Sequence, residues 1–366
     1  MGRTVVVVGG GYGGASVARA LDERADVVLV EPRDAFVQNA VAMRALARPE
    51  WADSMFFPYD RLLERGRVVR DRAVSVEPGG VELASGERLA ADHVVIATGS
   101  AYPSPFKTGA ADAATAREEI LRIHKDLAAA DRVLVVGAGP VGLELAGEAK
   151  AFWPDKRITV VDPAERLLPA FRDDLRADLH RHLDELGVDL RLGTTVETPP
   201  TEPGRAGTFT VSSGDGPITA DIWFRAYGVT VDTAHLGPGL RAARTPGGLL
   251  RVTGNLNVAG HATVHAVGDV TDLPEAKMAG NAMQHAEVVA QNILAALDGE
   301  GPTAVHRPSP IPFVLLPLGP DRGVGQVPSP DGPVVLPAAA VGEYKGADLF
   351  TGRFNDLFGT SLPVPA

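Results

Sequence analysis

The chain has 366 residues, 45% of them apolar and 22% charged, which is material for roughly two or three domains with their own cores and excludes wholesale disorder. A formal charge of −11 argues against a general nucleic-acid binder, which would present a basic face to phosphates. Cysteine is absent, so there is no disulfide framework, thiolate metal site, iron–sulfur cluster or dithiol redox centre, and any redox chemistry must be carried by something other than the polypeptide.

In chain order, the first apolar run, Val5 to Val8, is far too short to span a bilayer and is broken at once by glycines. It lacks the shape of a signal peptide. Gly2 invites a myristoylation reading, but Val6 stands where that motif needs Ser or Thr. A cytoplasmic protein is expected, with room for a peripheral membrane contact. The run leads into Gly9-Gly10-Gly11-Tyr12-Gly13-Gly14, an alanine-rich helical stretch, and a second valine-rich run that ends in Glu31. Strand, glycine turn, helix, strand and terminal acid are the parts of a βαβ unit in a parallel sheet. Gly9, Gly11 and Gly14 have the G-x-G-x-x-G spacing that lets backbone N–H groups approach a pyrophosphate, and Glu31 is placed for the ribose hydroxyls. The plainer alternative is a glycine turn with no ligand.

Residues 68–76 and 80–89 read as a hairpin around Pro78-Gly79-Gly80. Residues 92–99 form another buried strand ending at Thr98-Gly99, and residues 102–106 read as a linker. The first pattern then repeats: residues 132–136 lead into Gly137, Gly139 and Gly142, followed by a helix and a strand ending in Asp162. An acid there repels a 2′-phosphate, so NADH is expected ahead of NADPH, which stays the second candidate. Arg157 and Arg166 are nearby and could accept a phosphate, although the ordinary reading places both on a solvated face. Glu144 is an ordinary first-turn acid favoured by the helix dipole, and it is also placed to approach the nicotinamide end of a bound dinucleotide.

Further on, residues 173–186 form an amphipathic helix. Residues 188–211 are strand-like with a proline-rich interruption, and residues 220–228 close that unit at Gly228. Residues 249–258 and 263–269 read as strands, residues 274–297 as a long helix, and residues 302–312 as a second linker. Asp269, after Val267-Gly268, could bind a polyol hydroxyl or cap a turn. Lys277, near the start of the long helix, reads on residues alone as a surface lysine. The last piece has strands near 313–318 and 334–336 and an aromatic-bearing end at 344–358. There Leu349, Phe350, Phe354, Leu357 and Phe358 have helical spacing. They could cover a lipophilic acceptor site or touch a membrane surface. Core or dimer packing is the ordinary alternative, and Asp348 and Asp356 weaken any attraction to anionic lipid.

Two dinucleotide motifs, Ala97-Thr98-Gly99-Ser100 and Val267-Gly268-Asp269, in this order, resemble the two-dinucleotide-binding-domain flavoproteins. Stretches 35–44, 275–279 and 319–326 resemble the apoptosis-inducing-factor-like branch that includes the ferroptosis-suppressor NAD(P)H:quinone oxidoreductases. The resemblance implies an α/β fold of two Rossmann-like, glutathione-reductase-like domains with the NAD domain inserted in the FAD domain, plus a small C-terminal α+β domain. The implied boundaries are 1–108 with 235–305 for FAD, 109–234 for NAD(P)H and 306–366 for the C-terminal domain. FAD would lie on Gly9, Gly10, Gly11, Tyr12, Gly13 and Gly14 with its ribose on Glu31. Arg44, the backbone at Ala73, Thr98, Gly99, Asp269, Lys277 and Met278 would be further contacts. NADH would use Gly137, Gly139, Gly142, Asp162 and Gly228, bringing the nicotinamide near Glu144. Glu144 and Lys277 are the implied positioning and proton-handling residues, and no metal is called for. Val37-Gln38 stands where the ferroptosis suppressors have histidines, and their N-terminal lipid anchor is not carried over.

The function implied is an FAD-dependent NAD(P)H oxidoreductase with a quinone or other aromatic acceptor, no nucleic-acid partner, and room for a homodimer. The alternatives are a tailoring flavoprotein acting on a specialised polycyclic metabolite and an NADH-responsive flavin-bearing sensor. The absence of cysteine excludes a disulfide reductase.

Overall fold

Val5, Val6, Val7 and Val8 are all buried, as β-branched side chains covered on both faces of a central parallel strand should be. The strand they form, Thr4–Val8, pairs in parallel with Asp26–Val30 on one side and His93–Ile96 on the other. Arg67–Val69 and Val264–Ala266 extend the sheet at its two edges. The computed structural model describes residues 3–365, so Gly2 lies outside the described residues. A second parallel sheet has the order Val188–Leu192, Arg157–Asp162, Arg132–Val136, Ile222–Arg225. Each sheet is led by a strand, glycine turn and helix: Tyr12–Leu21 in the first and Pro140–Phe152 in the second. These are the two Rossmann-like cores expected from the paired motifs.

The helix Tyr12–Leu21 packs on the long helix Ala279–Leu297 against the first sheet. The short helix Ala42–Ala47 and the helix Ala113–Ala129 share a core with the second sheet and with the C-terminal strand Val314–Pro317. That core joins the cradle helix Pro140–Phe152 to the segment after it in space. Among the described residues, no helix is long and apolar enough to cross a membrane.

Several boundaries differ from the sequence reading. The long helix begins at Ala279, so Lys277 and Met278 precede it; Met278 is its N-cap, in extended conformation. Residues 274–278 stay non-helical because Glu275 and Lys277 are bonded elsewhere, as described below. Residues 68–76 divide: Arg67–Val69 joins the first parallel sheet. Ala73–Glu77 forms a three-stranded antiparallel sheet with Gly80–Leu83 and Arg88–Ala90. A turn at Asp71, whose carboxylate accepts from Arg72 N–H, separates the two. Residues 249–258 form isolated bridges rather than a strand, because the chain doubles back between Thr253 and Asn257. Residues 188–211 also separate, with Val188–Leu192 in the second sheet and Phe209–Val211 pairing Ile218–Ala220.

The C-terminal sheet has three antiparallel strands, Val314–Pro317, Gly323–Ser329 and Gly332–Leu336. The central one was not among the expected strands, which lay near 313–318 and 334–336; Gly323, Gly325 and Pro328 have low strand preference. Its Gln326 is buried, accepting from Arg172 N–H and donating to the Pro312 carbonyl. The final helix, Thr351–Phe358, buries Phe354 and Phe358 against Phe36, Phe57 and Tyr59, with the Phe36 and Phe358 rings stacked at 4.9 Å. Packing therefore accounts for the two buried phenylalanines of the helically spaced set.

Candidate active site

The two glycine turns repeat each other bond for bond. Gly9 N–H donates to the Val30 carbonyl and Gly137 N–H to the Val161 carbonyl, both at 2.8 Å. Gly10 N–H donates to Glu31 Oε2 and Ala138 N–H to Asp162 Oδ2, both at 2.7 Å. The second carboxylate oxygens accept from Arg33 N–H and Ala164 N–H. Each acid is thus fixed by two main-chain donors and keeps lone pairs for ribose hydroxyls. Where each following strand ends, Ala97 and Ala226 bring their carbonyls against Gly9 and Gly137, leaving no room for a side chain. Both glycines also have positive φ, at +103° and +113°.

The middle glycines differ from their neighbours in what a side chain would meet. A Cβ on Gly14 would lie 1.8 Å from the Gly9 carbonyl oxygen and one on Gly142 2.1 Å from that of Gly137, so these two close the helix onto its strand. A Cβ on Gly11 or Gly139 would meet nothing within 4 Å. These two residues are the N-caps of their helices and carry no side chain to satisfy the first-turn N–H groups. Open space in front of unsatisfied helix N–H groups is what a pyrophosphate fills. Thr98 Oγ1, adjoining the first turn, is buried with no hydrogen-bond partner, an orphan that a bound ligand would satisfy. The residues present therefore fit two dinucleotides. Tyr12 contributes only its backbone to the first turn. Its ring turns away to Phe36 and Phe354, and its hydroxyl donates to Gln38 Oε1 and accepts from Asn39 N–H.

Gly268–Val270 makes a single 3₁₀ turn at the end of the first sheet. Asp269 accepts from the Ser100 hydroxyl, and Lys107 Nζ reaches Ser100 Oγ at 2.8 Å and Asp269 Oδ2 at 3.4 Å. Gly99 has φ +64°, which lets the chain turn from the sheet toward Ser100. Lys277 and Met278 line one small hollow with Gly268, Asp269 and Asn281. Lys277 Nζ donates to the Thr271 carbonyl at 2.6 Å, and burial holds its amine below the ordinary lysine range, against the pull of Asp269, Glu275 and Asp272. Ala73 opens the edge strand of the small antiparallel sheet, and Gly228, at φ +93°, lies beneath the Arg225 guanidinium.

Glu144 is buried on the helix that follows the second glycine turn, and its Oε1 is 2.5 Å from Lys345 Nζ. Burial pushes its carboxyl above the ordinary glutamate range, and Lys345 pulls in the opposite direction. One helical turn on, Glu148 Oε1 accepts from Arg44 Nε at 3.0 Å and Nη2 at 2.8 Å. The same guanidinium donates to the Gly346 carbonyl at 2.5 Å and lies 4.9 Å from the centre of the Trp51 ring. Arg44 is thus buried with three of its five N–H donors on protein partners. Sequence reasoning missed Lys345, Lys107 and Glu148. Glu148 had a signal, its i,i+4 spacing from Glu144 on one helix face. Lys345 and Lys107 had none, because each comes from a part of the chain that only the tertiary fold brings to the site, Lys345 from the helical turn Gly342–Gly346.

Two matching glycine turns that fit adenine dinucleotides, with Glu144 and Lys345 paired beside the second, are the features of an NAD(P)H-dependent flavoprotein oxidoreductase. The chain belongs to the pyridine nucleotide-disulphide oxidoreductase family, whose model matches residues 3–289. FAD and NAD(P)H are the cofactors of this family. The chain is 29% identical to apoptosis-inducing factor homolog B of Dictyostelium discoideum, covering 99% of this chain and 98% of that protein. It is 31% identical to ferroptosis suppressor protein 1 of Taeniopygia guttata, covering 98% and 96%. Among solved structures, the sulfide:quinone oxidoreductase of Aquifex aeolicus shares the fold with a TM-score of 0.75, at 19% identity over 99% of this chain and 93% of that one.

Proposed function

We propose that the chain oxidises NADH through bound FAD and delivers the electrons to a quinone-type acceptor. The observation that carries this reading is the bond-for-bond repetition of the two cradles in a chain without a single cysteine. Two dinucleotides can be held, and no thiol pair exists to receive electrons from the flavin, so they must leave to an acceptor that diffuses in. A quinone is favoured by the resemblance to ferroptosis-suppressor oxidoreductases and by the half-buried cation at Lys345, which suits an oxygen that gains negative charge.

Bound FAD supplies hydride acceptance from the nicotinamide and onward electron transfer. The residues of the chain supply position and charge. The first-turn N–H groups after Gly11 and Gly139 face the pyrophosphates. Asp162 takes the nicotinamide dinucleotide's adenosine ribose and repels a 2′-phosphate, which favours NADH. Glu144 holds the Lys345 ammonium in a half-buried site, where it offers a proton and a positive charge to an acceptor oxygen. The overall balance is NADH, one proton and quinone giving NAD⁺ and quinol.

Steady-state NADH oxidation with and without a soluble quinone tests the proposal. Stimulation by quinone that Lys345→Met removes is the expected result. Flavin reduction by NADH with no acceptor speeding reoxidation would instead fit a sensor.

A further inference from the structure

Gly268 N–H donates to His285 Nδ1 at 3.0 Å, which fixes that ring nitrogen as the acceptor. In the neutral imidazole the proton must then sit on Nε2. From there it is donated to Glu275 Oε1 at 2.5 Å, and the other carboxylate oxygen, Oε2, lies 3.1 Å from His306 Nε2. The two rings meet edge to face at 4.4 Å, and both histidines are buried. One carboxylate thus ties together three separate parts of the chain. They are the turn that carries Asp269, the long helix through His285, and the connecting stretch 301–312 through His306. The last of these is held independently by Asn292, which bonds Thr303 and Ala304, and by His306 N–H on the Gly254 carbonyl.

The ligand atoms of Glu275, His285 and His306 lie within 4.8 Å of one another, the spacing of a divalent-cation site. Hydrogen bonding argues against that use. A metal on His285 Nε2 would place the proton on Nδ1, pointing it at the Gly268 N–H that already donates there. Burial also holds His285 below the ordinary histidine range, in keeping with a neutral ring that accepts at Nδ1.

We infer that Glu275 is a positioning residue for the flavin site: through His285 it fixes the Gly268–Asp269 turn, and it anchors the segment that carries Lys277 and Met278 beside it. Gly268 has φ +74° and no side chain; its carbonyl accepts from Thr271 Oγ1 at 2.9 Å, and its N–H is held by His285, so the carboxylate behind that ring completes the bracing of the turn. Lys277 follows Glu275 by two residues and lines the same hollow as Asp269. Fixing one end of the segment at Glu275 and the amine at the Thr271 carbonyl leaves it little freedom. The inference rests on the reading of Asp269 and Lys277 as flavin contacts.

The test compares Glu275→Ala, Glu275→Gln and His306→Phe with wild type, each freed of flavin and titrated with FAD. Thermal melts of the flavin-free proteins report on folding. Glu275→Ala should raise the FAD dissociation constant about tenfold, as expected when a buried donor loses its acceptor. Glu275→Gln should remain within about twofold of wild type, because its amide oxygen can accept from His285 and its NH₂ can donate to His306 in the other tautomer. His306→Phe, which leaves the Glu275–His285 bond intact, should fall between them. Wild-type FAD affinity in Glu275→Ala would overturn the inference and leave the flavoprotein reading standing, whereas a wild-type protein that binds no FAD would overturn both. Zinc added to wild type should not bind stoichiometrically. One tightly bound equivalent, abolished by Glu275→Ala, would replace the positioning role with a metal site.

Discussion

Lys345 and Glu144 are 201 positions apart in the chain and 2.5 Å apart in space, the carboxylate buried and the ammonium-bearing side chain half-buried beside it. Removing one member of such a pair leaves the other charge without compensation, at a cost of about 3–5 kcal/mol. Lys345→Met should therefore lower the melting temperature by several degrees and slow quinone reduction about a hundredfold. The double variant Glu144→Gln/Lys345→Met should recover most of the melting temperature but not the rate. Thermal melts and stopped-flow reoxidation of the reduced flavin separate the two effects.

The glycines predict opposite outcomes at neighbouring positions. Gly14→Ala would drive its Cβ into the Gly9 carbonyl and should prevent stable folding. Gly11→Ala meets nothing in the protein and should fold normally, yet it should weaken FAD binding by at least about tenfold because the methyl enters the space in front of the helix N-terminus. Circular dichroism and flavin content of the purified variants check both.

Asp162 is held by Ala138 N–H and Ala164 N–H and faces the second cradle. Replacing it with Ala should raise the NADPH to NADH ratio of kcat/KM by about tenfold, through loss of repulsion toward a 2′-phosphate. The FAD content should not change. Steady-state kinetics with the two nucleotides measure it.

His265 lies buried in the edge strand Val264–Ala266, with His93 as a ring neighbour, and burial takes its pKa down to about 3. The folded state thus binds the proton more weakly than the unfolded chain does. The stabilisation is complete above the ordinary histidine pKa of about 6.5 and is lost as the pH falls from there toward 3. Acid should cost on the order of 4 kcal/mol across that window through this group. Urea unfolding between pH 7 and pH 4 should show the loss, and His265→Leu should flatten the slope.

Both sheets and both cradles were legible because their signals are local. Buried parallel strands need unbroken runs such as Val5 to Val8, and the turns need glycine where a carbonyl or a ligand approaches. Residues that act across long separations left no such trace. Lys345 reads as one charge in a glycine-rich tail, and only the folded C-terminal sheet carries it to Glu144. The start of the long helix was misread for a related reason. Residues 274–278 have helical composition, but Glu275 is bonded to two histidines and Lys277 to the Thr271 carbonyl, and these tertiary bonds outweigh the local preference. The strand Gly323–Ser329 was hidden by its own glycines, one of which, Gly325, lies against Val341 and Leu315, where a side chain would be crowded.

The central claim, that one chain holds FAD and NADH for hydride transfer between them, is tested most directly by anaerobic titration of the flavin-loaded protein with NADH. One equivalent of NADH should bleach the flavin band near 450 nm, and Gly139→Val, which blocks the second cradle, should retain the yellow colour but require far more NADH. Protein that takes up FAD yet keeps its absorbance unchanged under excess NADH would contradict the account.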